Sequence, residues 1–189
     1  VSNHRNTFGH RLFPSRTNWS DDMASETEIK EKFWKSLKSD MTMFLGLAEG
    51  EDGHARPMTA QLDEDCFQDN LYQGPIWFFT SKSTELYQQI GSGGRAMAHF
   101  ASKGHDIWAT VHGNLSQSED PTIIDRLWNR FVAAWYEGGK DDPELALIRL
   151  DPENAEIWID ASSMVAGIKM LLGIDPKQDY KDKVAHVAL

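Results

Sequence analysis

Arg56, Thr80, Ser81, Lys82 and Thr84 are the residues whose types and spacing suit anion chemistry. Thr80-Ser81-Lys82 ends an aromatic strand, Pro75-Ile76-Trp77-Phe78-Phe79, and Glu85-Leu86-Tyr87-Gln88-Gln89-Ile90 follows as a short helix. A strand that delivers hydroxyls and a lysine to a helix start offers unpaired N–H groups and the positive end of the helix dipole to an anion. The plainer reading of Thr84 is an N-cap, the commonest use of Ser and Thr before a helix. Arg56 belongs to the strand His54-Ala55-Arg56-Pro57-Met58-Thr59-Ala60-Gln61-Leu62. Pro57 cannot donate to a ladder, so it marks an edge or bulge, a place where Arg56 could be aimed at a ligand. Arg56, Thr80, Ser81, Lys82 and Thr84 together could share one phosphate. Trp108 and Trp158 lie within strands, opposite small apolar neighbours, where their rings could border a flat cofactor.

Other chemistries find no support. His105 and His112 are an odd number of positions apart, so on one strand they face opposite ways, and with His99 they read as structural histidines rather than metal ligands. There is no HExxH, GxSxG or Walker loop. Gly91-Ser92-Gly93-Gly94 follows a helix instead of a strand, which makes it a C-cap and hinge. The single cysteine, Cys66, stands in Asp63-Glu64-Asp65-Cys66, where acidic neighbours disfavour the thiolate. One cysteine also forms no intrachain disulfide, which points to a reducing, cytoplasmic compartment. A net charge of −10 argues against nucleic acid or an anionic membrane as partner. No apolar run reaches the roughly 20 residues of a membrane span.

The elements that must position these residues follow from local signals. Residues 1–24 carry no period and read as a tail or arm. Ser25-Glu26-Thr27-Glu28 is a capping box, and Ile29, Phe33, Trp34 and Leu37 follow at helical spacing to Asp40. Residues 41–48 and 54–62 predict a hairpin across the polar turn 49–53. An acidic loop, 63–74, leads to the strand at 75–80. Strands at 95–101 and 105–117 follow, the second with strict alternation of Ile107, Ala109, Val111, Gly113 and Leu115 against Trp108, Thr110, His112 and Asn114. Asp120-Pro121 opens a helix whose face is Ile124, Leu127, Trp128, Phe131 and Trp135, with Trp128 and Trp135 read as core. Residues 145–150 and 155–159 predict a last hairpin across Asp151-Pro152-Glu153-Asn154. Residues 162–174 are small and apolar and predict a helix, with a charged tail beyond. About seven strands joined by short turns imply a mostly β fold, an antiparallel barrel with peripheral helices.

Four runs carry a family resemblance: Ala55-Arg56-Pro57-Met58, Ile76-Trp77-Phe78-Phe79-Thr80-Ser81, Trp135-Tyr136-Glu137-Gly138-Gly139-Lys140-Asp141-Asp142-Pro143 and Ala155-Glu156-Ile157-Trp158. In this order they resemble the FMN-binding split barrels, and within them the general-stress-protein branch of the pyridoxamine 5′-phosphate oxidase-like group. The likeness covers residues 25–161, taken as the split-barrel domain, with 162–189 as a C-terminal helix and tail. It implies a homodimer with FMN at the subunit interface. Arg56 would meet the phosphate, and the backbone at Pro57 and Met58 would run along the flavin ring. Phe79 and Thr80 match the aromatic-Thr pair of the next FMN strand, and Thr84 the hydroxyl at the helix start. Trp108 would reach the flavin from the partner subunit, and Trp158 would lie near the ring.

Two departures shape the expectation. The family's lysine two residues after the helix-start hydroxyl is Leu86 here, which leaves Lys82 to replace it. Loss of one charge-assisted bond weakens FMN binding by roughly 1.5–3 kcal/mol. The Arg-x-His-x-Arg substrate clamp of true pyridoxamine phosphate oxidases is also missing, and no arginine follows Trp158. The expected function is thus an FMN-dependent oxidoreductase or stress-response flavoprotein that does not use phosphorylated pyridoxamine. The alternatives are a haem or deazaflavin module on the same barrel, with His99 or His112 as axial candidates, or a non-catalytic interaction protein.

Overall fold

The computed structural model describes residues 25–48, 54–91, 93–159 and 184–189. The expected helix at 162–174 and the tail at 1–24 lie outside these residues. Helix α1 (Glu26–Asp40) starts at the expected capping box: Glu28 N–H donates to Ser25 Oγ at 3.3 Å, and Ser25 N–H donates to Glu28 Oε2 at 2.6 Å. It ends on Met41, whose left-handed φ of 59° lets its N–H bond Leu37 O. Its buried face is Phe33, Trp34 and Leu37.

The strands are β1 (Thr42–Leu47), β2 (Arg56–Gln61), the short β3 (Phe67–Gln68) and β4 (Leu71–Tyr72), and β5 (Ile76–Ser81). After helix α2 (Glu85–Ile90) come β6 (Gly94–Ala101) and β7 (Ile107–Ser118). Helices α3 (Pro121–Leu127) and α4 (Arg130–Ala133) precede β8 (Leu145–Ile159) and β9 (Val184–Ala188). The main sheet runs β5-β2-β1-β6-β7-β8, and a β5–β8 pairing closes it into a six-stranded antiparallel barrel. Burial in β7 alternates as expected, with Ile107, Ala109, Val111 and Leu115 inside. With Met43, Leu45, Ile76, Phe78, Ile148 and Ile157 they form one core, into which α1 packs its buried face. Each fully buried aliphatic or aromatic side chain of this kind contributes about 1.5–3 kcal/mol.

Three readings of the chain are corrected here. Residues 145–159 form one fifteen-residue strand and no hairpin. The register against β7 skips Glu153, pairing His112 with Asn154 and Gly113 with Pro152. Asp151-Pro152-Glu153-Asn154 is therefore a bulge, a second use of turn-like residues. Gly113 permits it: a Cβ there would stand 2.1 Å from Asp151 O. Glu153, the extra residue, accepts from Asn114 Nδ2 and pairs with Arg95.

The expected long helix after Asp120 is two short ones. Trp128 and Asn129 are extended (ψ 124° and 172°), and Asn129 restarts the helix, its Oδ1 accepting from the N–H groups of Phe131 and Val132. Leu127 is buried, but Phe131 and Trp135, read as its facial neighbours, are 67% and 85% exposed. Last, residues 184–188, inside the segment read as a charged tail, pair with the second half of β8.

Candidate functional site

The barrel is open between β2 and β5. These strands pair only at Ala60 with Phe78 and Gln61 with Trp77, and then part. Pro57 explains part of this. Ala60 N–H donates to Met41 O on the β1 side, so by alternation Pro57 turns its missing N–H toward the open edge. It thus costs no ladder bond toward β1, where it pairs with Phe44. Beyond the last β2–β5 pair lies a cavity of about 420 Å³ lined by Pro57, Met58, Thr59, Gln61, Phe79, Thr80, Ser81 and the α4 segment, including Phe131, Trp135 and Tyr136.

At the mouth of this opening the anion-type residues gather on the start of α2. Thr84 is its N-cap, accepting from Tyr87 N–H, and its hydroxyl donates to Ser81 O at 2.8 Å. The plain capping role therefore holds. Thr80 Oγ1 lies 3.2 Å from Thr84 Oγ1, and since the Thr84 proton is committed, Thr80 is the donor. Arg56 reaches the same corner and pairs with Glu85 at 2.5 Å. Arg56 and Thr80 thus converge on adjacent residues, Glu85 and Thr84, without touching. Ser81 Oγ donates to Glu144 Oε2 at 2.7 Å, and hydrogen bonds from Ser81 and Ser83 hold that carboxyl below its ordinary range. Two carboxylates, Glu85 and Glu144, therefore occupy Arg56 and Ser81. Lys82 is exposed and forms no ion pair among the described residues.

Several residues of the site are missed by the sequence reading. Tyr136 Oη donates to Thr80 O at 2.7 Å, and burial, then the Asp142 carboxylate, push its phenol up to about 12. A relay of rings, Phe79 to Trp128 to Tyr136, ties the α4 segment to β5. The glycine-rich run is a self-bonded turn: Gly138 and Glu144 both donate backbone N–H groups to the Asp142 carboxylate, with Gly139 at φ 63°. It links Tyr136, bonded to Thr80 O, with Glu144, bonded to Ser81 Oγ. The motif itself was the signal, but it does not name the atoms it holds.

Trp108 and Trp158 are cross-strand partners on the outer face of β7 and β8. They line a separate cavity of about 320 Å³ with Phe44, His99 and Thr110. One chain therefore does not bring the tryptophans to the β2–β5 opening. His99 is engaged with Thr110 Oγ1 at 3.1 Å. A larger cavity of about 510 Å³ involves none of the expected residues, and its cations are paired, Lys30 with Glu26 and Arg149 with Asp151. Cys66 is half-buried; burial first, then Asp63, push its thiol up. Among the described residues no helix is long and apolar enough to cross a membrane.

Comparison with known proteins gives the family. Residues 28–181 match the family model described as pyridoxamine 5′-phosphate oxidase like. A general stress family protein of Xanthomonas campestris pv. campestris is 55% identical, with a TM-score of 0.67 over 75% of this chain and 93% of that one. The Xanthomonas citri protein, named a general stress FMN/FAD binding protein, is also 55% identical, with a TM-score of 0.65 over 72% of this chain and 92% of its own. General stress protein 26 of Jannaschia sp. CCS1 is 26% identical, with a TM-score of 0.69 over 86% and 99%. No curated protein matches the chain. With the barrel, the opening between β2 and β5 and these matches in hand, the chain belongs to the pyridoxamine 5′-phosphate oxidase-like family, among its general stress proteins.

Proposed function

We propose that the protein binds FMN at the β2–β5 opening and works as a flavin-dependent oxidoreductase or stress-response flavoprotein, as a homodimer in the cytoplasm. The carrying observation is the junction of two surfaces there: a cavity of hydroxyl, amide and aromatic groups, and next to it the Arg56–Thr80–Thr84 corner. The first fits a flat ring, and the second fits a phosphate at its margin. Pro57, Met58 and Phe79 would face the ring, and Arg56, Thr80, Ser81, Lys82 and Thr84 the phosphate. To serve, Arg56 exchanges Glu85 for phosphate, while Lys82 forms no ion pair among the described residues. FMN supplies electron and hydride transfer when bound; the protein supplies binding, orientation and electrostatics.

Further support comes from the X. citri protein, named as FMN/FAD binding. The homodimer is supported by the aromatic patch on the outer sheet face, where Phe44 is 51% and Trp108 38% exposed. Trp108 and Trp158 of a second copy would complete the flavin site. The lone cysteine favours the cytoplasm. Without arginines after Trp158, phosphorylated pyridoxamine has no clamp, so another substrate is expected.

The experiment is a visible spectrum of the purified protein, followed by FMN titration with flavin fluorescence as readout and sedimentation for the dimer. Bound flavin bands and saturable quenching are expected. Their absence, with FMN fluorescence unchanged, rejects the reading.

A further inference from the structure

Among the described residues, the large apolar side chains that stand in solvent form two groups. Phe131 and Trp135, on and just past α4, project at the rim of the β2–β5 opening. Phe44 and Trp108 stand on β1 and β7, where with Trp158 and His99 they line the cavity of about 320 Å³. The first group is a projection and the second a hollow. No aspartate, glutamate, lysine or arginine lines the hollow, and it has room for an aromatic ring.

The sheet keeps the two groups apart on one chain. β2, β1, β6, β7 and β8 are consecutive strands. Cross-strand partners on the outer surface run from Pro57, at the opening, through Phe44 and His99 to Thr110 and Glu156. At about 4.8 Å per strand step, β2 and β7 are roughly 14 Å apart. The charges at the two margins differ in sign. The Arg130 guanidinium lies 4.7 Å from the Phe131 ring centre and forms no ion pair among the described residues. Glu156 stands two residues before Trp158 on β8, with His186 at 3.4 Å. At about 150–250 Å² for a whole aromatic side chain, the exposed parts of Phe44, Trp108, Phe131 and Trp135 come to roughly 500 Å². That is over half of the about 800 Å² that each partner gives to a standard interface.

We infer that a second copy of this chain covers both groups through one reciprocal contact. Phe131 and Trp135 of each copy seat in the Phe44–Trp108–Trp158 hollow of the other, with Arg130 toward the partner's Glu156. A two-fold axis between projection and hollow makes the contact twice. Because Phe131 and Trp135 line the β2–β5 cavity, the contact carries the partner's Trp108 and Trp158 to its rim. The inference rests on the homodimer of the proposed function and needs no flavin.

The test is sedimentation of the parent, Trp135→Lys and Phe44→Glu, both substitutions being at exposed positions, with circular dichroism to check the fold. Each variant alone should raise the dimer dissociation constant about thirtyfold or more, the loss of an aromatic anchor. An equimolar mixture of the two should regain a dimer. A mixed pair keeps one parental contact and sets the introduced ammonium against the introduced carboxylate in the other. Parental dimerisation in either variant, no recovery in the mixture, or a parent that sediments as a monomer, its hollow then left to another occupant, overturns the contact. FMN is titrated into the same samples by fluorescence. A dimer that survives both substitutions and binds FMN overturns the contact and leaves the proposed function standing. Loss and recovery of the dimer without FMN binding supports the contact and overturns the flavin reading.

Discussion

The β7–β8 wall and the β2–β5 opening lie on one barrel and obey opposite rules. β7 pairs with β8 from Ile107–Ile159 to Ser118–Leu147 and absorbs Pro152 and Glu153 without breaking. β2 and β5 separate after two pairs, and polar groups replace the ladder: Arg56 on Glu85, Thr80 on Thr84, Ser81 on Glu144, Tyr136 on Thr80 O. The wall carries stability through burial and backbone pairing. The opening holds one exposed ion pair, Arg56–Glu85, worth about 0–1 kcal/mol, which a ligand can replace at little cost. Binding function belongs where the protein's own contacts are weakest.

The wall breaks most severely at Gly113. A side chain there meets backbone at Asp151 O, so Gly113→Val should destabilise by about 3 kcal/mol or more, seen as a lower denaturation midpoint. If the variant melts like the parent, the bulge is misassigned. On the open side, Arg56→Ala and Thr80→Ala should each lower FMN affinity, Arg56→Ala by about tenfold through loss of a charge-assisted bond. Glu85→Gln should act the other way, freeing Arg56 and tightening FMN a few-fold, about the worth of one exposed pair. Weaker binding in Glu85→Gln would show that Glu85 does not compete with the phosphate.

A smaller effect belongs to Tyr136. Its phenol, raised from 10.0 to about 12, favours the protonated form in the fold. The stability it carries is present below pH 10 and is lost as pH rises toward 12. Tyr136→Phe should flatten that alkaline decline and cost about 1 kcal/mol at neutral pH, measured by denaturation across the pH range. Least of all, Cys66 should react slowly with iodoacetamide at neutral pH and faster as pH rises, since burial holds its thiol up.

Much of the wall was legible because its signals are local. The Ser25–Glu28 capping box and the alternation from Ile107 to Leu115 name their own partners within a few residues. Asp151-Pro152-Glu153-Asn154 was misread because the reason it stays in a strand is Gly113, a residue on another strand. The break at Trp128–Asn129 was hidden for a like reason: apolar spacing continued through it, and the Asn129 cap, bonded toward Gln61, is visible only in three dimensions. At the opening, Arg56, Thr80 and Thr84 were legible as types that suit an anion. Glu85 and Glu144, which already occupy Arg56 and Ser81, were not, because long-range charge pairing leaves no periodic trace. Trp108 and Trp158 read as flanking a ring, yet within one chain they belong to the other face.

The most direct test of the central claim, that the β2–β5 opening holds a flavin ring with its phosphate at the Arg56–Thr80–Thr84 corner, is a paired titration of FMN and riboflavin into the parent, Arg56→Ala and Thr80→Ala proteins. The account predicts saturable binding of both flavins to the parent, with the two variants losing affinity for FMN and keeping it for riboflavin. Unchanged FMN affinity in both variants, or equal losses for the two flavins, would contradict it.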